Sequence, residues 1–117
     1  MGHAGSRKDI DMAKFIYLYR GPAPPSDVTP EQGAERMAAF QAWMGKVGSA
    51  LVDVGSPFGT GASVGDDGTE GTPADLIAYT IVEAADLAEA KALTAGLPFL
   101  SERDGKHVVE IFELLSM

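Results

Sequence analysis

The chain contains no cysteine, which removes disulfides, thiolate nucleophiles and cysteine-based zinc or iron–sulfur centres. Positive charge is scarce: 9 Lys and Arg stand against 17 Asp and Glu, a formal net charge of -8. Phosphate binding needs a basic face, so nucleic acid and anionic membrane are not expected partners. The plain reading of the acidity is solubility. No apolar run approaches the roughly 20 residues of a membrane-spanning helix. Histidine is also sparse, with 2 in the chain. One of them, His3, lies in residues 1–11 (MGHAGSRKDID), a polar, aperiodic stretch without the apolar core of a secretory signal. A cytoplasmic protein is therefore expected. Met12 reads as the natural start and residues 1–11 as a non-native or disordered N-terminal extension.

What remains is ordinary globular material. Hydrophobic residues make up 45% and charged residues 22% of 117, enough for one domain (residues 12–117) with a core that needs no staple. Residues 13–20 alternate as a strand, with Phe15, Tyr17 and Tyr19 on one face and Ile16 and Leu18 on the other. Residues 21–28 carry three prolines and read as a loop. Thr29, Pro30 and Gln32 form the signature of a capped helix start. Ala34, Met37, Phe40, Met44 and Val47 recur at helical spacing as a core-facing stripe, flanked by Trp43, and Gly48 supplies a stop.

A short strand follows at 51–54. Residues 55–75 are rich in Gly, Ser, Thr, Asp and Pro, with a possible strand at 62–64 and a turn at Asp66–Asp67–Gly68. Residues 76–83 read as a strand, with Ile77, Tyr79 and Ile81 on one face. Asp86 and Glu89 cap a helix over 86–95, with Leu87, Ala90 and Leu93 on its buried side, and Gly96–Leu97–Pro98 ends it. Residues 108–115 close the domain, Val109 and Ile111 on one face, Val108, Phe112 and Leu114 on the other. The predicted fold class is α+β: a ferredoxin-like βαββαβ antiparallel sheet with both helices on one face. Strands apolar on both faces need cover on the second face as well. The chain has no third layer to offer, so a homodimer packing sheet on sheet is predicted, with a shared cleft near the interface.

Five stretches carry a family resemblance: Ala-Lys-Phe-Ile-Tyr-Leu-Tyr at 13–19, Ala42–Trp43, Gly-Ser-Ala-Leu-Val-Asp-Val-Gly-Ser-Pro at 48–57, Tyr-Thr-Ile-Val-Glu-Ala-Ala-Asp-Leu-Ala-Glu-Ala at 79–90, and Val-Glu-Ile-Phe-Glu at 109–113. Taken together they resemble the YCII-related family over residues 12–117. The resemblance implies a dimeric α+β barrel. Some members of that family use a His–Asp pair, with the His on the first helix; here the comparable position falls near Met37. The family's Asp-Gly-Pro-Phe before the third strand is replaced by Gly71–Thr72–Pro73–Ala74, with only a faint echo at Ser56–Pro57–Phe58. The resemblance thus transfers the architecture and not a reaction.

The residues themselves offer a few candidates. Asp53, at the end of a short strand beside a long loop, reads either as a general base at a cleft or as a turn-bonding carboxylate. His107 reads as an acid or base near neutral pH, or as a strand-edge histidine beside a polar turn. Tyr17, Tyr19, Trp43, Phe58 and Tyr79 are candidates to line an apolar ligand pocket, against the alternative of core and dimer packing. The Gly-rich run at 59–65 lacks the Gly-Lys-Ser/Thr ending of a phosphate loop. Asp66, Asp67 and Glu70 lack calcium-loop spacing, and Ser49, Ser56 and Ser63 have no neighbouring His to activate them. No cofactor and no metal is implied. Two functions follow: a dimeric small-molecule-binding or regulatory module with an apolar cleft, or a small cofactor-free enzyme applying acid/base chemistry to an apolar or aromatic metabolite.

Overall fold

The computed structural model describes residues 12–22, 28–73, 75–101, 103 and 105–116. The N-terminal extension expected at 1–11 and most of the proline-rich loop lie outside the described residues. The elements, in order, are β1 (Ala13–Arg20), α1 (Pro30–Val47), a 3-10 turn (Gly48–Ala50), β2 (Leu51–Pro57), β3 (Ser63–Val64), β4 (Glu70–Gly71), β5 (Leu76–Ala84), α2 (Leu87–Ala92), a second 3-10 turn (Pro98–Leu100) and β6 (Val108–Leu114). Strands β2, β5, β1 and β6 form a four-stranded sheet in that order, and every pairing in it is antiparallel. The protein is thus α+β, with an antiparallel sheet and two helices, an arrangement compatible with a ferredoxin-like fold. Between β2 and β5 the chain inserts a separate hairpin, β3 paired with β4.

Local chemistry explains where the helices begin. Thr29 Oγ1 accepts from the Gln32 N–H at 3.1 Å, and Gln32 Oε1 accepts from the Thr29 N–H at 3.0 Å, which closes a capping box. Asp86 Oδ1 accepts from the Glu89 N–H at 2.9 Å, and Glu89 Oε1 from the Ala85 N–H at 2.6 Å. Helix α2 is shorter than the 86–95 expected. Its last turn tightens into three-residue turns, with the N–H groups of Thr94 and Ala95 donating to the carbonyls of Lys91 and Ala92. Gly96, at φ 84°, then reverses the chain.

The core lies on one face of the sheet. Phe15, Tyr17 and Tyr19 from β1 join Thr80, Val82 and Ala84 from β5, Trp43 and Val47 from α1, and Ala90 and Leu97 from the α2 region, all buried. Both helices therefore cover the same face. Two hydrogen bonds tie the layers: Tyr17 Oη donates to the Ala90 carbonyl at 2.5 Å, and Trp43 Nε1 to the Leu93 carbonyl at 2.8 Å. Two expectations need correction here. The α1 stripe is Phe40, Trp43, Met44 and Val47, with Trp43 at its centre, whereas Met37 is 58% exposed and Ala34 is exposed too. Only the C-terminal half of α1 reaches the core. In α2, Leu87 is exposed and Ala90 is the fully buried contact.

The opposite face of the sheet carries Ile16, Leu18, Tyr79, Ile81, Phe112 and Leu114, as the register requires. Phe112 and Leu114 are 54% and 39% exposed, and both helices lie on the other side. Arg20 Nε meets Glu110 Oε2 at 3.2 Å, a partly exposed pair of modest value.

Candidate functional site

Because the first half of α1 stands away from the core, the sheet beneath it is not sealed. The gap is a cleft of about 1180 Å³, bordered by Met37 and Phe40 of α1, Tyr19, Ala78 and Thr80 of the sheet, and Phe99. Such a volume exceeds the roughly 300–1,000 Å³ of small-molecule sites, as expected of a cleft open to solvent. Glu35 and Arg36 also border it, as does His107.

The deepest polar feature is a chain of hydroxyls. Tyr19 Oη donates to Thr80 Oγ1 at 2.7 Å, and Thr80 Oγ1 donates to the Val54 carbonyl at 3.0 Å. All three residues border the cleft. An irregularity in β2 makes this possible. Asp53 pairs with Ile81 and Ser56 with Tyr79, so Val54 and Gly55 together oppose Thr80. This is a bulge, the device that re-aims backbone groups beside many functional sites. Gly55 is required at the bulge: its φ is 85°, and a Cβ there would lie 1.6 Å from the Tyr79 carbonyl oxygen.

Burial raises the pKa of Tyr19, and its hydrogen bond with Thr80 offsets this only in part. Tyr19 is thus a neutral donor at physiological pH. Its neighbour Tyr17 is pushed up to about 12 by burial, with Tyr19 adding to the effect. On the wall, the Phe99 ring centre sits 5.1 Å from that of Tyr19, and His107 meets Phe99 edge-on at 5.1 Å and 82°.

The candidates from the sequence distribute unevenly. Tyr19 and His107 border the cleft, and Tyr79 does too, although its ring stacks on Phe58 at 5.9 Å and 15°. Trp43 and Tyr17 belong to the core, their rings 6.4 Å apart. Asp53 is exposed. Its Oδ1 accepts from the Gly55 N–H at 2.9 Å and its Oδ2 from Tyr79 Oη at 3.1 Å. That hydrogen bond to the carboxylate raises the pKa of Tyr79. Asp53 thus has the geometry of a turn-bonding carboxylate that holds the bulge.

Asp53 and His107 are not brought together. Asp53 lies in β2 and His107 just before β6, the two outer strands of the sheet, so three strand spacings, about 14 Å, separate them across the sheet alone. Thr80, Val54 and Phe99 escaped the sequence reading. The one available signal was Thr80, a hydroxyl in an otherwise apolar run at a core-facing position; nothing in the local sequence marks Phe99 or the Val54 carbonyl. Among the described residues, no group of three or more His, Cys, Asp or Glu is placed to hold a metal, and no helix is long and apolar enough to cross a membrane. No protein-family model matches the chain, and no curated protein matches it.

Proposed function

We propose that this chain is a dimeric small-molecule-binding module of YCII-like architecture, and that the cleft between α1 and β5 is its ligand site. The observation that carries the reading is the cleft itself. Apolar walls from Met37, Phe40, Ala78 and Phe99 surround a buried pair of hydroxyls, Tyr19 and Thr80, with the Tyr19 hydroxyl oriented by Thr80. This is the composition of a binding site, mostly apolar with a few positioned polar atoms.

A second copy of the chain is the proposed cover for the apolar sheet face. A two-fold contact needs a surface that complements itself. Here Ile16, Leu18, Ile81 and Phe112 are accompanied by charges of both signs, Lys14, Arg20, Glu83 and Glu110. Light scattering at micromolar concentration is expected to give twice 12.2 kDa, and Phe112→Glu to give a monomer. A monomeric wild type would remove the dimer from the proposal and leave the cleft. The binding role is tested by NMR with a fragment library. Hits are expected to shift the resonances of Met37, Phe40 and Phe99; hits confined to other surfaces would overturn it.

The enzyme reading is favoured by one observation, His107 on the cleft wall against Phe99. It predicts that a cleft ligand is chemically altered on incubation and that His107→Gln stops the change. Recovery of every bound fragment unaltered would count against it. Asp53→Asn, which keeps the size of the side chain, is expected to leave binding in place.

A further inference from the structure

Hydrogen bonds have a direction, and in this cleft the direction is fixed by a carbonyl. The Val54 oxygen can only accept, so the proton of Thr80 Oγ1, 3.0 Å away, is committed to it. Thr80 must then accept at its remaining position, and the group that faces it at 2.7 Å is Tyr19 Oη. The single proton of Tyr19 is thereby committed as well. Reversing the chain would leave the Val54 carbonyl without this donor. It would also turn the phenol proton away from Thr80 Oγ1, the acceptor 2.7 Å from it, and breaking a buried hydrogen bond is unfavourable. What Tyr19 presents to the cleft is therefore an oxygen with lone pairs and no proton.

Resting on the binding role given to the cleft, we propose that it selects neutral, apolar ligands that carry a hydrogen-bond donor, an alcohol or N–H group, received at the hydroxyl oxygen of Tyr19. A ketone, ester or carboxylate of the same shape would bring a second set of lone pairs against the first and bind more weakly. The selectivity is set by the bulge in β2, which turns the Val54 carbonyl toward Thr80, and Tyr19 acts as its reporter. One neutral hydrogen bond corresponds to about a three- to tenfold difference in affinity.

Borneol and camphor make a suitable pair of probes. They share a rigid apolar skeleton and differ in bearing an alcohol or a ketone. Each is titrated into the full chain and followed by the NMR shifts of Met37, Phe40 and Phe99. Borneol is expected to bind about three- to tenfold more tightly. In Tyr19→Phe both should still bind, with the ratio near one. In Thr80→Val the phenol proton is released from its partner, so the preference should turn toward camphor. Equal affinities in the wild type, or an unchanged preference in Tyr19→Phe, would overturn the inference while leaving the binding role of the cleft intact. Absence of any cleft shift with either probe would overturn the binding role, and the inference with it.

Discussion

The two halves of α1 share a sequence style and have opposite fates. In the C-terminal half, Trp43 and Val47 are buried, Trp43 Nε1 reaches the Leu93 carbonyl, and Lys46 Nζ reaches the Ala95 carbonyl at 3.0 Å. In the N-terminal half, residues 31–39 are exposed apart from half-buried Gly33. The first half keeps its shape through its own capping box and backbone ladder, and the second through tertiary packing. The difference shows how one amphipathic helix serves two purposes: one end seals the core, and the other roofs a cavity it does not fill. Apolar residues at helical spacing mark a face, and the neighbouring elements decide how much of that face is covered.

The comparison breaks most visibly at Trp43. Its ring stacks on Phe40 at 5.7 Å and lies against Tyr17. Trp43→Ala would leave a large cavity and strand the Leu93 carbonyl, for a loss of about 3–5 kcal/mol in chemical denaturation. A loss under about 1 kcal/mol would mean that the C-terminal half is not the seal described above. Gly55 is next. Ala at φ 85° with its Cβ against the Tyr79 carbonyl cannot be accommodated without moving β2, and Gly55→Ala is expected to cost roughly 3 kcal/mol. It should also disturb the Asp53 and Thr80 hydrogen bonds, visible as shifts at both residues.

Alkaline titration separates the sealed region from the cleft by another route. Tyr17 holds its proton to about 12 in the folded chain against an ordinary 10.0. Between those values the unfolded chain has released the proton and the folded chain has not. The folded state therefore binds more protons, and stability falls as pH rises. The contribution is fully present below about pH 10 and is lost toward pH 12, amounting to about 3 kcal/mol. Tyr19 shifts in the same direction and adds to the slope. Tyr17→Phe is expected to be less stable than wild type at pH 7 by about 1 kcal/mol, through the lost bond to Ala90, and to show a flatter decline above pH 10. An equally steep decline would assign the alkaline transition elsewhere.

Much of this architecture was legible in the residues. The alternation Phe15, Tyr17, Tyr19 against Ile16, Leu18 is local, and so are the Thr29–Gln32 and Asp86–Glu89 caps; each states its own geometry. The turn at Asp66–Asp67–Gly68 was legible for the same reason, and Asp67 Oδ1 accepts from the Thr69 N–H there at 2.9 Å. The cleft was not legible. It depends on where α1 stops touching the sheet, which is a property of the whole packing and not of its helical period. The hydroxyl chain joins residues 54, 80 and 19, far apart in sequence, through a bulge that no turn motif announces. Asp53 was read either as a base at the cleft or as a turn-bonding carboxylate, and only the structure shows its carboxylate accepting from Gly55 and Tyr79.

The smallest expected effect is the most discriminating for the open half of the helix. Met37 sits on the expected apolar stripe, yet it is 58% exposed and borders the cleft. If residues of this half carried the core, Met37→Ala would cost the 2–5 kcal/mol of a buried methionine, by general experience with such truncations. With more than half its surface already in water, it should change stability by less than about 0.5 kcal/mol. Ala favours helix slightly over Met, which offsets what little packing is lost. Affinity should respond where stability does not, because Met37 forms part of the apolar wall that a ligand displaces from water. Borneol is expected to bind Met37→Ala more weakly by about two- to fivefold, as a fraction of one buried side chain. Stability and binding measured on the same sample thus place Met37 either in the core or on the roof of the cleft, and the open half of α1 predicts the roof.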